Sequence, residues 1–449
     1  MKNLTIKNIL AACGGVWQGS GEALEKEISA VTADSRTVTE GCLFAAIPGE
    51  RVDGHSFAAA ALAQGALCVL AEHSVEGVDE NLILVPDTVA ALQKIAAFYR
   101  SGFDIPILGI TGSVGKTTAK EMIAAVLGQK FRVHKTAGNF NNDLGVPLTL
   151  FGLNESHEAA VIEMGVSHPG DMARLAEMVR PTMSLFTVIG QAHLEFLKSR
   201  EGILAEKSVV NGYLPEGGTV FCSGDDDLLA AMECRQEKIT FGLGDACTVR
   251  AEDVNVLPDG TMRCTVVSGA RRIDAHIPAY GEHMIYAALE GAAVGMKLGL
   301  TNEEITAGIA AYETVGHRAR RLTTEKFTVI DDCYNANPTS TAAGIRSLAR
   351  CEGRKVCILG DMLELGPDSA KLHFETGALA AACGIDLVLT TGAESAEITR
   401  GAGERGIHFT RKNDLISALP ELLRTGDTVL VKASHSQRFE EITEALLKL

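Results

Sequence analysis

A chain of 449 residues has room for about three domains of ordinary size. Apolar residues make up 46% and charged residues 22%, a balance that suits globular domains with sizeable cores. The formal net charge of -16 argues against nucleic acid or an anionic membrane surface as partner, but leaves a nucleotide ligand open.

Near the start, Leu10-Ala11-Ala12-Cys13 behind Lys2 and Lys7 loosely resembles a bacterial lipoprotein cleavage site. Lys7 and Asn8 interrupt the apolar region that such a signal needs. The 11 cysteines are scattered, with no C-x-x-C pair, and read as buried reduced thiols rather than disulfides or a zinc site. The most apolar run, Phe57 to Leu70, holds Gln64 and Gly65 and is too short to span a bilayer. It reads as a helix, a Gly and a strand. Further strands are expected at Cys42 to Ile47 and Leu82 to Val85, and Pro86-Asp87 opens a helix through Tyr99. The first 100 residues thus read as a small N-terminal α/β domain, with no membrane insertion and a cytoplasmic location expected. SGFDIP follows as a linker.

Next comes ILGITGSVGKTTAKEMIAAVL, residues 107–127, which reads as strand, phosphate-cradling loop and helix. Gly112 and Gly115 allow the tight turn, Lys116 can reach the β- and γ-phosphates, and the Thr117 hydroxyl is placed for Mg²⁺. Ile110 stands where the first Gly of G-x-x-x-x-G-K-[ST] belongs. Thr111, Gly112, Ser113, Val114, Gly115, Lys116 and Thr117 are therefore expected around ATP. Apolar runs at Ala159 to Ile162 and Met183 to Val188, with a helical pattern over 171–179, predict a parallel sheet. From Thr248 to Ile277 the texture changes to alternating strands joined by Pro258-Asp259-Gly260. A helix from Glu282 to Leu298 stops at Gly299, and residues 101–315 form a central P-loop domain.

From Gly316 to Leu449, strands at Phe327 to Ile330, Val356 to Leu359, Leu387 to Leu389 and Thr428 to Val431 alternate with helices. This is a C-terminal, Rossmann-like doubly wound domain without a P-loop. The expected fold class is α/β, in three domains.

A P-loop enzyme needs an acidic residue at the end of a neighbouring strand to hold Mg²⁺. Glu163 ends one such strand in the loop's own domain and is favoured. Asp331 and Asp332 end another in the last domain, and read as a solvated strand end unless they face the site across a cleft. The loop TAGNFNNDLGVP holds Asn139, Asn141 and Asn142, either a plain turn or amides for a polar substrate. His193 suits a metal or, more commonly, a helix start. Lys207, in a helix expected over 201–210, reads by spacing as a surface lysine. Asp332, Asn335, Asn337, Lys432 and Ser434 follow strands, where the crevice of an open α/β sheet binds ligands. An ATP-using enzyme that activates an acid or alcohol fits better than a switch or transporter, since N-K-x-D and LSGGQ are missing.

Together DSR (34–36), IPGERVDGHSF, TGSVGKTT, TAGNFNNDLGVP, EMGVSHPGDM, DDCYNANP, LGDMLELG and VLVKAS resemble the Mur ligases of peptidoglycan synthesis, over the whole chain. YNANP, GDMLELG and the Asn-rich loop resemble most the members that add D-Ala-D-Ala. The resemblance implies that the first domain holds the UDP end of a UDP-N-acetylmuramoyl-tripeptide, the central one ATP and Mg²⁺, and the last one D-Ala-D-Ala. A monomer is expected. By resemblance, Ser35 and Arg36 lie near the uridine diphosphate, and Asn139 and Asn142 near the muramoyl-peptide. Glu163 and His193 look like residues at a second Mg²⁺, and Lys207 like the family lysine that CO₂ carbamylates. Lys116, Lys207, Glu163 and His193 would form the catalytic set. Arg318 and Asp332 resemble contacts to ATP from a closing domain. Lys432 and Ser434 would face the acyl acceptor, and Asn335 is expected among the substrate-binding residues. The implied reaction runs through an acyl phosphate that the amine of D-Ala-D-Ala attacks.

Some positions depart from the family pattern. Met284 and Ala287 replace Asn residues beside His283, Ser208 and Val209 replace a Gly and a Glu, and Ala433 and His435 replace a Gly and an Arg. Folylpolyglutamate synthases share the loop and the amide-forming chemistry but usually lack a domain ahead of it. A sister Mur ligase adding D-Glu or a diamino acid would lack YNANP and GDMLELG.

Overall fold

Three sheets follow one another along the chain in the structure, a computed structural model that describes residues 1–49, 52–257 and 260–449. The first has five strands in the order 16–18, 82–84, 68–71, 43–45 and 31–32, parallel except at the 16–18 edge. The second has nine, and the P-loop strand Ile107–Thr111 lies between Met183–Phe186 and Ala159–Glu163, parallel to both. Its far end turns antiparallel through Val249–Val256, Met262–Ser268 and Arg271–Ile277. The third has six, parallel apart from the edge strand Arg320–Thr323. The α/β class and the parallel central sheet are as expected from the sequence.

Local chemistry explains the elements. The Asp87 carboxylate accepts the Ala90 N–H at 2.8 Å and starts the helix Thr88–Ser101. The helix Asp171–Val179 falls on its predicted bounds, with Met172, Leu175, Ala176, Met178 and Val179 on its buried face. Asn337 and Ser340 form a reciprocal capping box, with Pro338 at the first helical position, for Pro338–Ala349. Sequence reading misses Val16–Gln18, Val31–Thr32, Thr219–Ser223, Glu237–Gly242, Arg320–Thr323 and Gly406–Phe409. Most are short or edge strands with polar residues, so their apolar signal is weak. The strands on either side of the predicted hairpin pair as expected, while Pro258 and Asp259 lie outside the described residues. So do Glu50 and Arg51 of IPGERVDGHSF.

The first two domains share one apolar core. It runs from Leu43, Leu70 and Ile83 through Leu92, Ile95 and Tyr99 to Ile107, Ile162 and Phe186. The helix Thr88–Ser101 is its spine. Tyr99 Oη donates to the Leu153 carbonyl at 2.7 Å, and the buried Arg100 donates to the Val179 and Arg180 carbonyls. The C-terminal domain has separate cores on the two faces of its own sheet. It meets the central domain through a few polar contacts, among them Tyr280 Oη to the Ser347 carbonyl at 2.6 Å and Arg350 to Glu282 at 2.8 Å, and through small apolar contacts of Leu194 and Tyr280. One domain pair is fused by packing and the other can hinge.

Candidate active site

The loop after Ile107–Thr111 is shaped by two glycines. Gly112 has φ +142°, where a Cβ would run into the Thr187 hydroxyl, and Gly115 has φ +88° as it caps the helix Lys116–Leu127. Ser113 N–H donates to the Val188 carbonyl at 2.8 Å, and Thr187 Oγ1 donates to the Val114 carbonyl at 2.5 Å. Lys116 Nζ folds over the loop to the Gly112 carbonyl at 2.8 Å. The helix start and the Lys116 charge therefore converge on one place suited to phosphate.

Glu163 lies beside this loop because its strand pairs with the P-loop strand in register, Glu163 opposite Ile110. One carboxylate oxygen accepts from Thr117 Oγ1 at 3.0 Å and the other from Asn141 Nδ2 at 2.8 Å. Hydroxyl and carboxylate are hard oxygen donors, so Thr117 and Glu163 fit Mg²⁺ completed by phosphate oxygens and water. Of the two acidic candidates, the structure brings Glu163 to the loop. Asp331 and Asp332 are not a solvated strand end either. Asp331 is buried against His317 Nδ1 at 2.5 Å and Cys333 Sγ at 3.0 Å, and Asp332 is paired with Lys432.

The Asn-rich loop is partly turn and partly site. Asn142 spends its Oδ1 on the Gly145 N–H at 2.8 Å, as a helix-start turn, and Asn139 is exposed. Asn141, which sequence reasoning did not place in the site, is the one that reaches Glu163. Lys120 was missed as well. It is fully buried, donates to the Gly138 carbonyl at 3.2 Å, and lies 3.1 Å from Glu121 and 4.0 Å from Glu163. Its spacing from Lys116, one helical turn, was the available signal.

Lys207 is not a surface lysine. It is 1% exposed at the end of the helix Arg200–Ser208, and no hydrogen bond or ion pair holds its ammonium among the described residues. Burial first, and the nearby Lys116 charge second, push its pKa well below the usual lysine value. The amine is thereby biased towards its neutral, nucleophilic form.

His193 caps the short helix Leu194–Leu197 with φ +58°, and its Nδ1 sits 2.5 Å from Glu364 of the C-terminal domain. No hydrogen bond or ion pair among the described residues links it to Glu163, Thr117 or Lys207. The structure thus supports its helix-start role and leaves Nε2 as its one site for a further ligand.

Across the cleft, Arg318 stacks 3.9 Å over the Tyr334 ring, and Tyr334 in turn stacks on His435. Burial lowers the Lys116 pKa, the Glu163 charge opposes that shift, and the Arg318 charge adds to it. Asp332 and Lys432, expected at different ligands, are joined to each other at 2.6 Å. Lys432 also donates to the Asn335 carbonyl at 2.9 Å, and Ser434 Oγ accepts the Leu363 N–H at 3.2 Å. These residues form one polar cluster at the ends of the central strands of the third sheet. In the first domain, exposed Arg36 is bidentate to Asp34, whose carboxyl is held down at about 2 by that contact, and Ser35 starts the same short turn.

The chain matches known proteins along nearly its whole length. Residues 27–100 match the Mur ligase family catalytic domain, 110–295 the Mur ligase middle domain, and 317–435 the Mur ligase glutamate ligase domain. A UDP-N-acetylmuramoyl-tripeptide–D-alanyl-D-alanine ligase from Bacillus subtilis is 38% identical over 99% of this chain and 98% of its own. The crystal structure of MurF from Acinetobacter baumannii superposes with a TM-score of 0.92 at 28% identity, covering 99% of each chain. That of MurF ligase from Thermotoga maritima, solved in complex with ADP, gives 0.85 at 29% identity over 93% of this chain and 97% of its own. With all three domains matched and a relative aligned nearly end to end, the chain belongs to the Mur ligase family.

Proposed function

We propose that this chain is an ATP-dependent ligase that joins D-Ala-D-Ala to the terminal carboxylate of UDP-N-acetylmuramoyl-tripeptide, in the synthesis of peptidoglycan precursors. The observation that carries the reading is the P-loop site, where Lys116 lies over the loop and the Thr117 hydroxyl meets the Glu163 carboxylate, within a chain whose three domains all match the Mur ligases. Residues 1–100 hold the UDP end, with Ser35 and Arg36 beside it. Residues 101–315 hold the nucleotide, and 316–449 the acceptor. All three parts of the site lie in one chain, which supports a monomer. The cytoplasm is its proposed setting, and no helix among the described residues is long and apolar enough to cross a membrane.

In the first step the tripeptide carboxylate attacks the γ-phosphorus, the bond to the β-phosphate oxygen breaks, and ADP leaves. Lys116, Arg318 and the P-loop amides neutralise charge on the transferring group. Thr117 and Glu163 would hold Mg²⁺, which would supply further charge neutralisation for phosphoryl transfer. Lys207 amine adds CO₂ and loses a proton, giving a carbamate. This exchanges an uncompensated buried amine for an anion beside Lys116. Asn139 and Asn142 line the muramoyl-peptide. In the second step the D-Ala-D-Ala amine attacks the acyl phosphate carbonyl, and phosphate departs from the tetrahedral intermediate. The Asp332–Lys432 pair with Asn335 and Ser434 receives that acceptor. Closure of the third domain keeps water from the acyl phosphate.

The decisive assay measures phosphate release with ATP and UDP-N-acetylmuramoyl-tripeptide, adding D-Ala-D-Ala, D-Glu or buffer in turn. Release that depends on D-Ala-D-Ala is expected. Equal release in all three arms would reject the assignment. A structure of folylpolyglutamate synthase from Mycobacterium tuberculosis resembles this chain at 15% identity and a TM-score of 0.64, which speaks to fold alone.

A further inference from the structure

The loop Gly360–Gly366 (GDMLELG) leaves the buried strand Lys355–Leu359 and is anchored at nearly every residue before it reaches the cleft. Asp361 accepts the N–H groups of Ala393, Glu394 and Ser395 at 3.0, 3.1 and 2.7 Å. The Met362 N–H donates to Nε2 of fully buried His373 at 2.9 Å, and His373 Nδ1 lies 2.8 Å from the Ser369 carbonyl. The Leu363 N–H is taken by Ser434.

Glu364, held between these anchors, crosses to the central domain. Its carboxylate meets His193 Nδ1 at 2.5 Å, and its carbonyl accepts the Glu195 N–H at 3.3 Å. Leu194, between those two partners, packs on Ala336, Met362, Leu365 and Leu372 of the C-terminal domain. Both facing residues are backbone outliers for non-glycine residues, with φ +61° at Glu364 and +58° at His193. A non-glycine residue in this region is strained and persists only where its surroundings hold it. An ordinary surface ion pair would not need that. Glu364 and His193 side chains are 48% and 26% exposed, so their charge attraction alone is weak. What distinguishes the contact is geometry.

We propose that Glu364 is a positioning residue: it latches the C-terminal domain onto the central one and, by accepting the Nδ1 proton of His193, aims Nε2 into the cleft. A carboxylate on one ring nitrogen fixes both tautomer and ring direction. The loop carrying Glu364 is tied through Ser434 to the strand end at Lys432, where the acceptor is read to bind. Seating the acceptor and setting His193 are then one mechanical event. The catalytic part of this inference rests on the ligase reading above.

Glu364→Asn tests it, because Asn tolerates the left-handed backbone but is too short to reach His193. Glu364→Gln, which still accepts the ring proton, is the rescue variant. X-ray scattering with a non-hydrolysable ATP analogue and UDP-N-acetylmuramoyl-tripeptide reads closure without any turnover. The closed wild type should approach the compact radius of gyration of about 22 Å for this length, and Glu364→Asn should exceed the wild type by about 1 Å or more. In steady state, kcat/KM for D-Ala-D-Ala should fall about tenfold or more in Glu364→Asn, with KM for ATP within about twofold and partial recovery in Glu364→Gln. Unchanged scattering overturns the latch. So does a loss shared equally by ATP and D-Ala-D-Ala, which would mark general damage. Failure of the ligase reading is visible separately, as a wild type that closes but releases no phosphate on D-Ala-D-Ala.

Discussion

The Thr117 hydroxyl donates to the Glu163 carboxylate at 3.0 Å and so ties the first turn of the P-loop helix to the end of the neighbouring strand. That contact leaves one Glu163 oxygen to be steered by Asn141, at 2.8 Å. Two oxygen donors fixed by short bonds make a defined seat for Mg²⁺, and loosening the outer partner weakens the seat without removing a ligand. Asn141→Ala should therefore raise the Mg²⁺ concentration for half-maximal phosphate release by about tenfold, with the protein still folded. Glu163→Gln, which removes the anion itself, should lower the rate by about 100-fold. A Mg²⁺ titration of both variants checks this; an unaltered midpoint in Asn141→Ala would return Asn141 to the status of a turn residue.

Lys207 carries a different kind of test, because the group it is read to supply is made from CO₂. Lys207→Ala should lose activity by about 100-fold and regain part of it when acetate or formate is added, since a small carboxylate can occupy the vacated volume. The depressed lysine pKa sets the pH sense. Above its folded pKa the amine is neutral and can add CO₂; because that pKa lies well below the usual value, activation by bicarbonate should persist at pH values where an ordinary lysine is fully protonated. Rates measured with and without bicarbonate across pH 7 to 9 give the answer. Full activity in Lys207→Ala would remove the carbamate from the mechanism.

These residues also mark where reading the sequence stops. The P-loop was legible because strand, glycines, Lys116 and Thr117 lie within a few residues of each other, and the helix over 171–179 because its apolar face repeats at helical spacing. The three-domain α/β class followed from the alternation of such segments. Burial of Lys207 was not legible. Its neighbours Glu206 and Ser208 are polar, and what covers it comes from elsewhere in the chain. Asn141 and Asn142 are adjacent and chemically identical, and only the pairing of strands decides which faces Glu163. The contact of His193 with Glu364 spans 171 residues and that of Asp332 with Lys432 spans 100, so neither leaves a local trace.

The Asp332–Lys432 pair predicts a stability effect that can be separated from catalysis. Lys432 is 2% exposed, so replacing its partner by Asn leaves an ammonium buried with only carbonyl neighbours. Asp332→Asn should destabilise the fold by about 2–4 kcal/mol. Adding Lys432→Met should recover most of that loss, because an apolar side chain of similar length has no charge to solvate. Activity should stay low in both variants. Denaturant unfolding of the two, followed alongside the wild type, measures the recovery. A double variant no more stable than Asp332→Asn would mean the pair is held by packing rather than charge.

Acid should weaken the central domain through His134 and His157. Their rings lie 4.9 Å apart, His134 Nε2 is 2.7 Å from the Thr149 carbonyl, and the pKa of each is lowered chiefly by burial. Each is therefore neutral in the folded protein at pH values where the unfolded chain, titrating near the ordinary histidine value of about 6.5, has begun to bind a proton. When the unfolded state holds more protons, stability rises with pH. The contribution of both histidines is thus fully present above pH ~6.5 and is lost as pH falls below it. The thermal midpoint should drop between pH 7 and pH 5. It should drop less in His134→Gln, whose amide can still donate to the Thr149 carbonyl but cannot titrate. Parallel melting curves for the wild type and this variant across that range would assign the acid sensitivity to other groups.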